Sequence, residues 1–230
     1  MLSQEIKELF EKGAPNYDTT NNFLSLGLDK FWRRKLAHST KLPPGGTLVD
    51  IATGTAQVAT QVAKLNPHAT IIGLDFSPNM LKLAQKRIKK AQLKNTFFLI
   101  GDGSLLPFAK NSFDALTVVF GIRNFTQRER ALKEFYEVLK ANGQLIIMEF
   151  GFPKATIFRF FYQLYFNFIL PRLGNYFWSS SIAYNYFRDS VHKFPSPDKF
   201  IEMIKQAGFK EITLQKLTGG VVNIFRGIKR

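Results

Sequence analysis

The sequence predicts an α/β fold, an open parallel sheet wound with helices and closed by an antiparallel hairpin. Three observations predict it. Between residues 47 and 150, short apolar runs alternate with amphipathic helical stretches, the pattern of strands joined by crossover helices. A further helix and two β-like runs joined at Thr218-Gly219-Gly220 then end the chain. Finally, 230 residues of which 45% are apolar and 21% charged suit one well-filled core and are short for two.

The expected parallel strands cover 47–52, 70–74, 96–100, 115–120 and 143–150. Helices are expected near 58–65, 78–91 and 128–139. The second of these opens with Ser77 as a cap and Pro78 at the first helical position. It buries Leu81, Ala84 and Ile88 and turns Lys82, Lys86, Arg87 and Lys89 to solvent. The last helix is expected over 197–207, capped by Ser196 and stopped by Gly208. Two closing strands, 211–216 and 221–229, form the hairpin. The chain then divides into an N-terminal helical cap on the substrate side (1–42), a cofactor-binding core (43–150), an aromatic lid insertion (151–195) and the terminal helix and hairpin (196–230).

Composition narrows the partners. The formal charge of +15 favours nucleic acid, anionic lipid or an acidic ligand, but no run of five or six like charges marks a nucleic-acid tail. There are no cysteines, which excludes disulfides, thiolate metal sites and Cys-nucleophile catalysis. The first residues carry neither a basic n-region nor an apolar h-region, and 157–170 is too short and too interrupted to span a bilayer. A cytoplasmic chain is expected, peripheral at the inner face of the membrane.

The first expected strand runs into Val49-Asp50-Ile51-Ala52-Thr53-Gly54-Thr55-Ala56. A strand, a small-residue turn and a helix let backbone approach a ligand closely. The dinucleotide pattern G-x-G-x-x-G would fall on Ala52, Gly54 and Gln57, and Gln57 breaks it. An acid followed by small residues at alternate positions is instead the methyltransferase form of this loop. Asp50 is then placed toward the amino-acid end of the cofactor. Asp75 closes the second strand, where a carboxylate accepts from ribose hydroxyls. Asp102, in Gly101-Asp102-Gly103-Ser104, follows the third and is placed to accept from an adenine amino group. Three acids at successive strand ends converge on the crevice where open α/β sheets bind ligands.

Leu106-Pro107-Phe108, Asn111-Ser112-Phe113-Asp114 and above all Phe120-Gly121-Ile122-Arg123-Asn124 resemble the ubiquinone/menaquinone biosynthesis C-methyltransferases. The similarity includes Tyr17-Asp18-Thr19-Thr20-Asn21-Asn22, Trp32-Arg33, Leu170-Pro171-Arg172-Leu173-Gly174, Ala183-Tyr184, Lys193-Phe194-Pro195 and Leu217-Thr218-Gly219-Gly220, nearly the whole chain. It implies a class I, Rossmann-like methyltransferase with a seven-stranded sheet and S-adenosyl-L-methionine as cofactor. Thr55, Asp75, Asp102 and Gly103 would contact that cofactor, and Arg123 and Asn124 would sit beside the transferring methyl. The implied substrate is a polyprenyl quinol, demethylmenaquinol or a 2-methoxy-6-polyprenyl-1,4-benzoquinol. Departures from the family pattern are Ala56 for the last loop glycine, Gln57 for the acid after it, Asp29 for a basic residue or His, and Asn223-Ile224-Phe225 for an Ala-Ile-His run.

A neutral ring carbon is a poor nucleophile, so the site must hold ring and methyl in line and organise removal of a phenolic proton. Tyr17 and Asp18 are the expected substrate-side groups. Arg123, always protonated, suits stabilising a phenolate, and water or Asp18 suits taking the proton. Phe158, Phe161, Tyr162, Tyr165, Phe166 and Phe168 exceed one helical face and suggest an apolar lid for a prenyl tail. Other readings are an RNA methyltransferase or a non-catalytic assembly protein on the same fold. The first lacks a cysteine for C5-pyrimidine chemistry and an N/D-P-P-Y run for amine methylation. A metal-dependent O-methyltransferase is a weaker third reading, since no clustered acidic ligand set appears. No nucleic-acid partner and no metal are expected, and a homodimer is left open.

Overall fold

The computed structural model describes residues 13–153 and 181–230, together with Glu11, Phe160, Leu164 and Tyr165. Phe158, Phe161, Tyr162, Phe166, Phe168 and the segment 170–174 lie outside the described residues, as do the side chains of Ala183 and Tyr184. The prenyl-lid expectation falls largely there.

The strands are β1 (Thr47–Ile51), β2 (Thr70–Asp75), β3 (Thr96–Ile100), β4 (Phe113–Val119), β5 (Leu139–Phe150), β6 (Lys210–Leu217) and β7 (Val222–Ile228). They form one seven-stranded sheet in the order β3-β2-β1-β4-β5-β7-β6. The first five are mutually parallel, and β7 pairs antiparallel with both β5 and β6. This is the expected fold, with the second hairpin strand inserted between β5 and the first. The helices are α1 (Tyr17–Leu24), α2 (Leu28–Ser39), α3 (Gln57–Leu65), α4 (Pro78–Lys90), α5 (Arg128–Val138), α6 (Ser181–His192) and α7 (Pro197–Gln206).

Alternation along each strand builds two cores. Leu48, Ile146, Met148 and Ile224 face one side, under α2 and α3. Val49, Ile51, Leu145, Ile147 and Phe225 face the other, under α5 and α7. Central strands covered on both faces must be apolar throughout, which makes the acids in them informative. The caps also match local chemistry: Ser77 Oγ accepts from Met80 N at 3.1 Å, and Ser196 Oγ from Lys199 N at 3.4 Å.

β5 starts at Leu139, four residues before the expected position, because it leaves α5 directly and pairs Leu139 with Phe113 across an irregularity in β4. Arg87 corrects the expected solvated face of α4. It is half-buried, and its Nε donates to the Thr55 carbonyl at 2.7 Å. The chain leaves β1 outward through β2 and β3, then returns to β4 on the opposite side of β1. That reversal opens a crevice at the carboxyl ends of β1 and β4.

Candidate active site

The turn after β1 forms the rim of that crevice. Ala52, Gly54 and Ala56 all have left-handed backbone, with φ of 52°, 56° and 58°. The alternate small residues thus answer a backbone requirement, which costs an alanine roughly 1–2 kcal/mol. A Cβ on Gly54 would meet nothing within 4 Å, so this part of the turn faces open space. Ala56 is fully buried within the core beneath α2 and α3, so its Cβ points away from the crevice. Phe225 likewise packs into the opposite core, 4.9 Å from the ring of Phe200.

The crevice encloses about 740 Å³, including space continuous with solvent, and is lined by Tyr17, Gly54, Asp75, Asp102, Gly103 and Asn124 among others. Asp75 is held by backbone: its Oδ2 accepts from Gly54 N at 2.8 Å and its Oδ1 from Ser77 N at 2.9 Å. Burial pushes its carboxyl up to about 6, against those two donors, and the nearby Asp50 adds to the rise. Asp102 turns one oxygen back to Ser104, accepting from its N at 2.9 Å and its hydroxyl at 2.7 Å. Gly103 is required by packing, since a Cβ there would come within 2.6 Å of Ile51 and 2.7 Å of Phe125.

Asp50 lies beneath the turn rather than on the main crevice wall. It accepts from the hydroxyls of Thr53 at 2.7 Å and Thr117 at 2.6 Å, and burial raises its carboxyl despite those bonds. It lines a second, polar recess of about 300 Å³ with Arg33, Thr53 and Thr55. Tyr17, Ala52, Gly54 and Val119 line both spaces, which makes them two ends of one cleft.

Asp18 closes α1 over the turn. Its Oδ1 accepts from Thr55 Oγ1 and Gln57 Nε2, both at 2.6 Å, and its Oδ2 pairs with the Arg87 guanidinium. Gln57 thus has a concrete use: it reaches the carboxylate of another element, where an acid would repel it.

Arg123 and Asn124 occupy one short turn, Ile122–Asn124, after β4. Asn124 lines the crevice, and its Oδ1 accepts from Tyr186 Oη at 2.7 Å. Burial raises the Tyr186 phenol, keeping it a donor. The Arg123 side chain runs elsewhere. It pairs with Glu149 at 3.0 Å, donates to Ser190 Oγ at 3.3 Å and to the Phe120 carbonyl, and lies 5.6 Å over the Phe150 ring.

Of the residues singled out in the sequence, Tyr17, Gly54, Asp75, Asp102, Gly103 and Asn124 therefore share the crevice. Asp50 and Thr55 line the adjoining recess, while Asp18 and Arg123 sit in ion pairs beside it. Glu149 and Tyr186 were not singled out, and Arg87 was read only as part of a solvated face. A glutamate inside the apolar run Leu145-Ile146-Ile147-Met148-Glu149-Phe150 was the available signal for the first. Arg87 and Tyr186 act on residues 69 and 62 positions away.

The cleft suits a nucleoside joined to an amino acid. Asp75 stands by open glycine backbone at one end. At the other, the buried Nε of Arg33 has no hydrogen-bond partner, an orphaned cationic donor that an anionic group would satisfy.

The sequence pattern of the ubiE/COQ5 methyltransferase family matches residues 1–229. The ubiquinone/menaquinone biosynthesis C-methyltransferase UbiE of Geotalea uraniireducens is 38% identical over 228 residues, 98% of this chain and 97% of that protein. The demethylmenaquinone methyltransferase of Desulfitobacterium hafniense is 38% identical over 226 residues, 97% of this chain and 89% of that one. Among solved structures, an S-adenosylmethionine-dependent methyltransferase of Thermotoga maritima superposes with a TM-score of 0.69 at 23% identity, covering 97% of this chain and 99% of its own.

Proposed function

Because the chain belongs to the ubiE/COQ5 methyltransferase family, a family of S-adenosylmethionine-dependent enzymes, we propose that it methylates a ring carbon of a polyprenyl quinol, converting demethylmenaquinol to menaquinol. The observation that carries this reading is that Tyr17 and Asn124 line the same crevice as Asp75 and Asp102. Polar groups suited to a quinol thus meet groups suited to a nucleoside. The menaquinone step is common to relatives named for ubiquinone and menaquinone biosynthesis and to those named demethylmenaquinone methyltransferase, 38% identical in each case, which supports that choice of substrate.

When bound, S-adenosylmethionine supplies a methyl group made electrophilic by its sulfonium. Asp75 would take the ribose hydroxyls and Asp102 the adenine amino group. Asn124, with its amide oxygen engaged by Tyr186, would donate to a quinol oxygen and fix the ring opposite Gly54. Tyr17 would close the other side. Holding the two reactants in line contributes more than any single side chain here. The phenolic proton would leave to solvent, because both Asp18 oxygens already accept from Thr55, Gln57 and Arg87. The hydrogen displaced at the methylated ring carbon would then leave as a proton through water and restore the phenol. Arg123 would act through the turn it braces, as a positioning residue for Asn124.

Incubation with S-adenosylmethionine and chemically reduced demethylmenaquinol, followed by mass spectrometry, should give methylated product. The oxidised quinone should give none. Turnover of the benzoquinol alone would move the enzyme to the other branch, and turnover of neither would overturn the reading.

Access to a prenylated substrate favours contact with a membrane surface. No helix among the described residues is long and apolar enough to cross one. Phe23, Leu26, Leu28 and Phe31 are nevertheless exposed around the turn joining α1 to α2, next to exposed Lys30, Arg34 and Lys35. Apolar side chains ringed by cations suit an anionic lipid surface. The protein should sediment with vesicles containing anionic lipid, and replacing Leu26 and Phe31 with serine should weaken this on the order of 10-fold or more. Unchanged sedimentation would remove this face from consideration.

A further inference from the structure

Building on the cofactor reading above, we infer that Arg33 is the carboxylate-binding residue for the amino-acid end of S-adenosylmethionine, in the polar recess beyond Gly54. Arg33 is 7% exposed and lines that recess. A guanidinium carries five donors in a fixed fork and cannot shed its charge, so a buried one with an empty Nε is costly unless a ligand completes it. Its intramolecular partner is a poor one. Asp29, one turn earlier on α2, stands 3.8 Å from Nε, beyond hydrogen-bond distance. The Asp29 Oδ2 is itself without a hydrogen-bond partner, and Oδ1 accepts from Ser25 at 3.3 Å. The guanidinium carbon lies 5.1 Å from the centroid of the Phe120 ring, a cation–π contact that does not use its N–H groups.

Geometry selects an α-amino acid rather than a simple anion. The recess continues the main crevice through Tyr17, Ala52, Gly54 and Val119, so a group entering it would extend from a nucleoside held at Asp75. Asp50 lines the same recess, its oxygens held by Thr53 and Thr117. The recess thus offers a cation to a carboxylate and an oxygen-rich surface to an ammonium.

The test is calorimetric and needs no methyl acceptor. The wild-type protein and an Arg33→Gln variant would each be titrated with S-adenosylmethionine and with its decarboxylated form, which keeps the nucleoside, sulfonium and amine. Wild type should prefer the carboxylate-bearing form on the order of 10- to 100-fold, and Arg33→Gln should lose most of that preference while binding the decarboxylated form nearly as before. Arg33→Lys should recover part of it, and carries the test if the glutamine variant does not fold. Equal weakening of both ligands would reduce Arg33 to a structural residue, and an unchanged preference would place the carboxylate elsewhere. Either result overturns the assignment while leaving the cofactor reading intact. Failure of wild type to bind either ligand would overturn both.

Discussion

Two ion pairs brace the cleft in opposite settings. In Arg123–Glu149 the side chains are 7% and 0% exposed; in Arg87–Asp18 they are 34% and 37% exposed. The buried pair is richly bonded. Glu149 accepts from Arg123 Nη1 and from the backbone N–H groups of Arg123 and Phe150, at 2.9–3.2 Å, and Arg123 is further tied to Ser190 and Phe120. The half-exposed pair joins α1 to α4, and both partners also hold Thr55 of the turn after β1, Asp18 through its hydroxyl and Arg87 through its carbonyl. Burial makes the first a fixed part of the framework, since neither charge can be left alone. Solvent makes the second weak and screenable.

The largest effect should come from breaking the buried pair. Glu149→Gln should cost about 3–5 kcal/mol and lower Tm by roughly 6–20 °C. A Tm within a few degrees of wild type would show that the Arg123 charge is met by other groups.

Next comes the backbone-held acid between the two pairs. Asp75→Asn should weaken S-adenosylhomocysteine binding on the order of 10- to 100-fold at pH 7.5. Because the Asp75 carboxyl is raised to about 6, wild-type affinity should fall as pH drops through that value, and the variant should lack that fall. The same shift has an opposite sign for folding. A carboxyl raised from 3.8 to about 6 contributes stability below its unfolded pKa that is lost as pH rises through 6. Without ligand, Asp75→Asn should therefore match or exceed wild-type Tm at pH 7.5. A lower Tm for the variant would mean that the bonds from Gly54 and Ser77 outweigh desolvation.

The smallest effect should follow from the half-exposed pair. Arg87→Gln should change stability by no more than about 1 kcal/mol. It should nonetheless raise amide exchange in α1, and added salt should narrow the difference from wild type. Exchange unchanged in α1 would show that Thr55 and Gln57 suffice to hold Asp18.

The sheet and the crevice at its strand ends were legible because their signals are local. Asp50, Asp75 and Asp102 stand at or just beyond strand ends, and Ser77 and Ser196 cap helices a few residues away. The bracing groups were not legible, because each depends on a partner brought near only by folding. Arg87 satisfies every local criterion for a solvated helix face, and nothing around it points to Asp18. The resemblance implies Arg123 beside the methyl group, but its guanidinium is directed to Glu149 while its neighbour Asn124 lines the crevice. Two adjacent residues in a short turn must point different ways, and a linear motif does not say which goes where. Ala56 errs in the other direction: a substitution that looks obstructive in the loop pattern buries its methyl in the core.

The two borders of the sheet will also govern how the protein behaves at high concentration. β6 carries Lys210, Glu211 and Lys216 along its outer side, the charged dressing that keeps a free strand from recruiting another chain. β3 has no such dressing, with Phe97 at 56% exposure and Ile100 at 60%, and Lys94 stands only ahead of it. Concentrated solutions should therefore self-associate through β3, seen as light scattering that grows with concentration. Phe97→Lys should suppress it without touching the cleft, and scattering that persisted in that variant would put the sticky surface elsewhere.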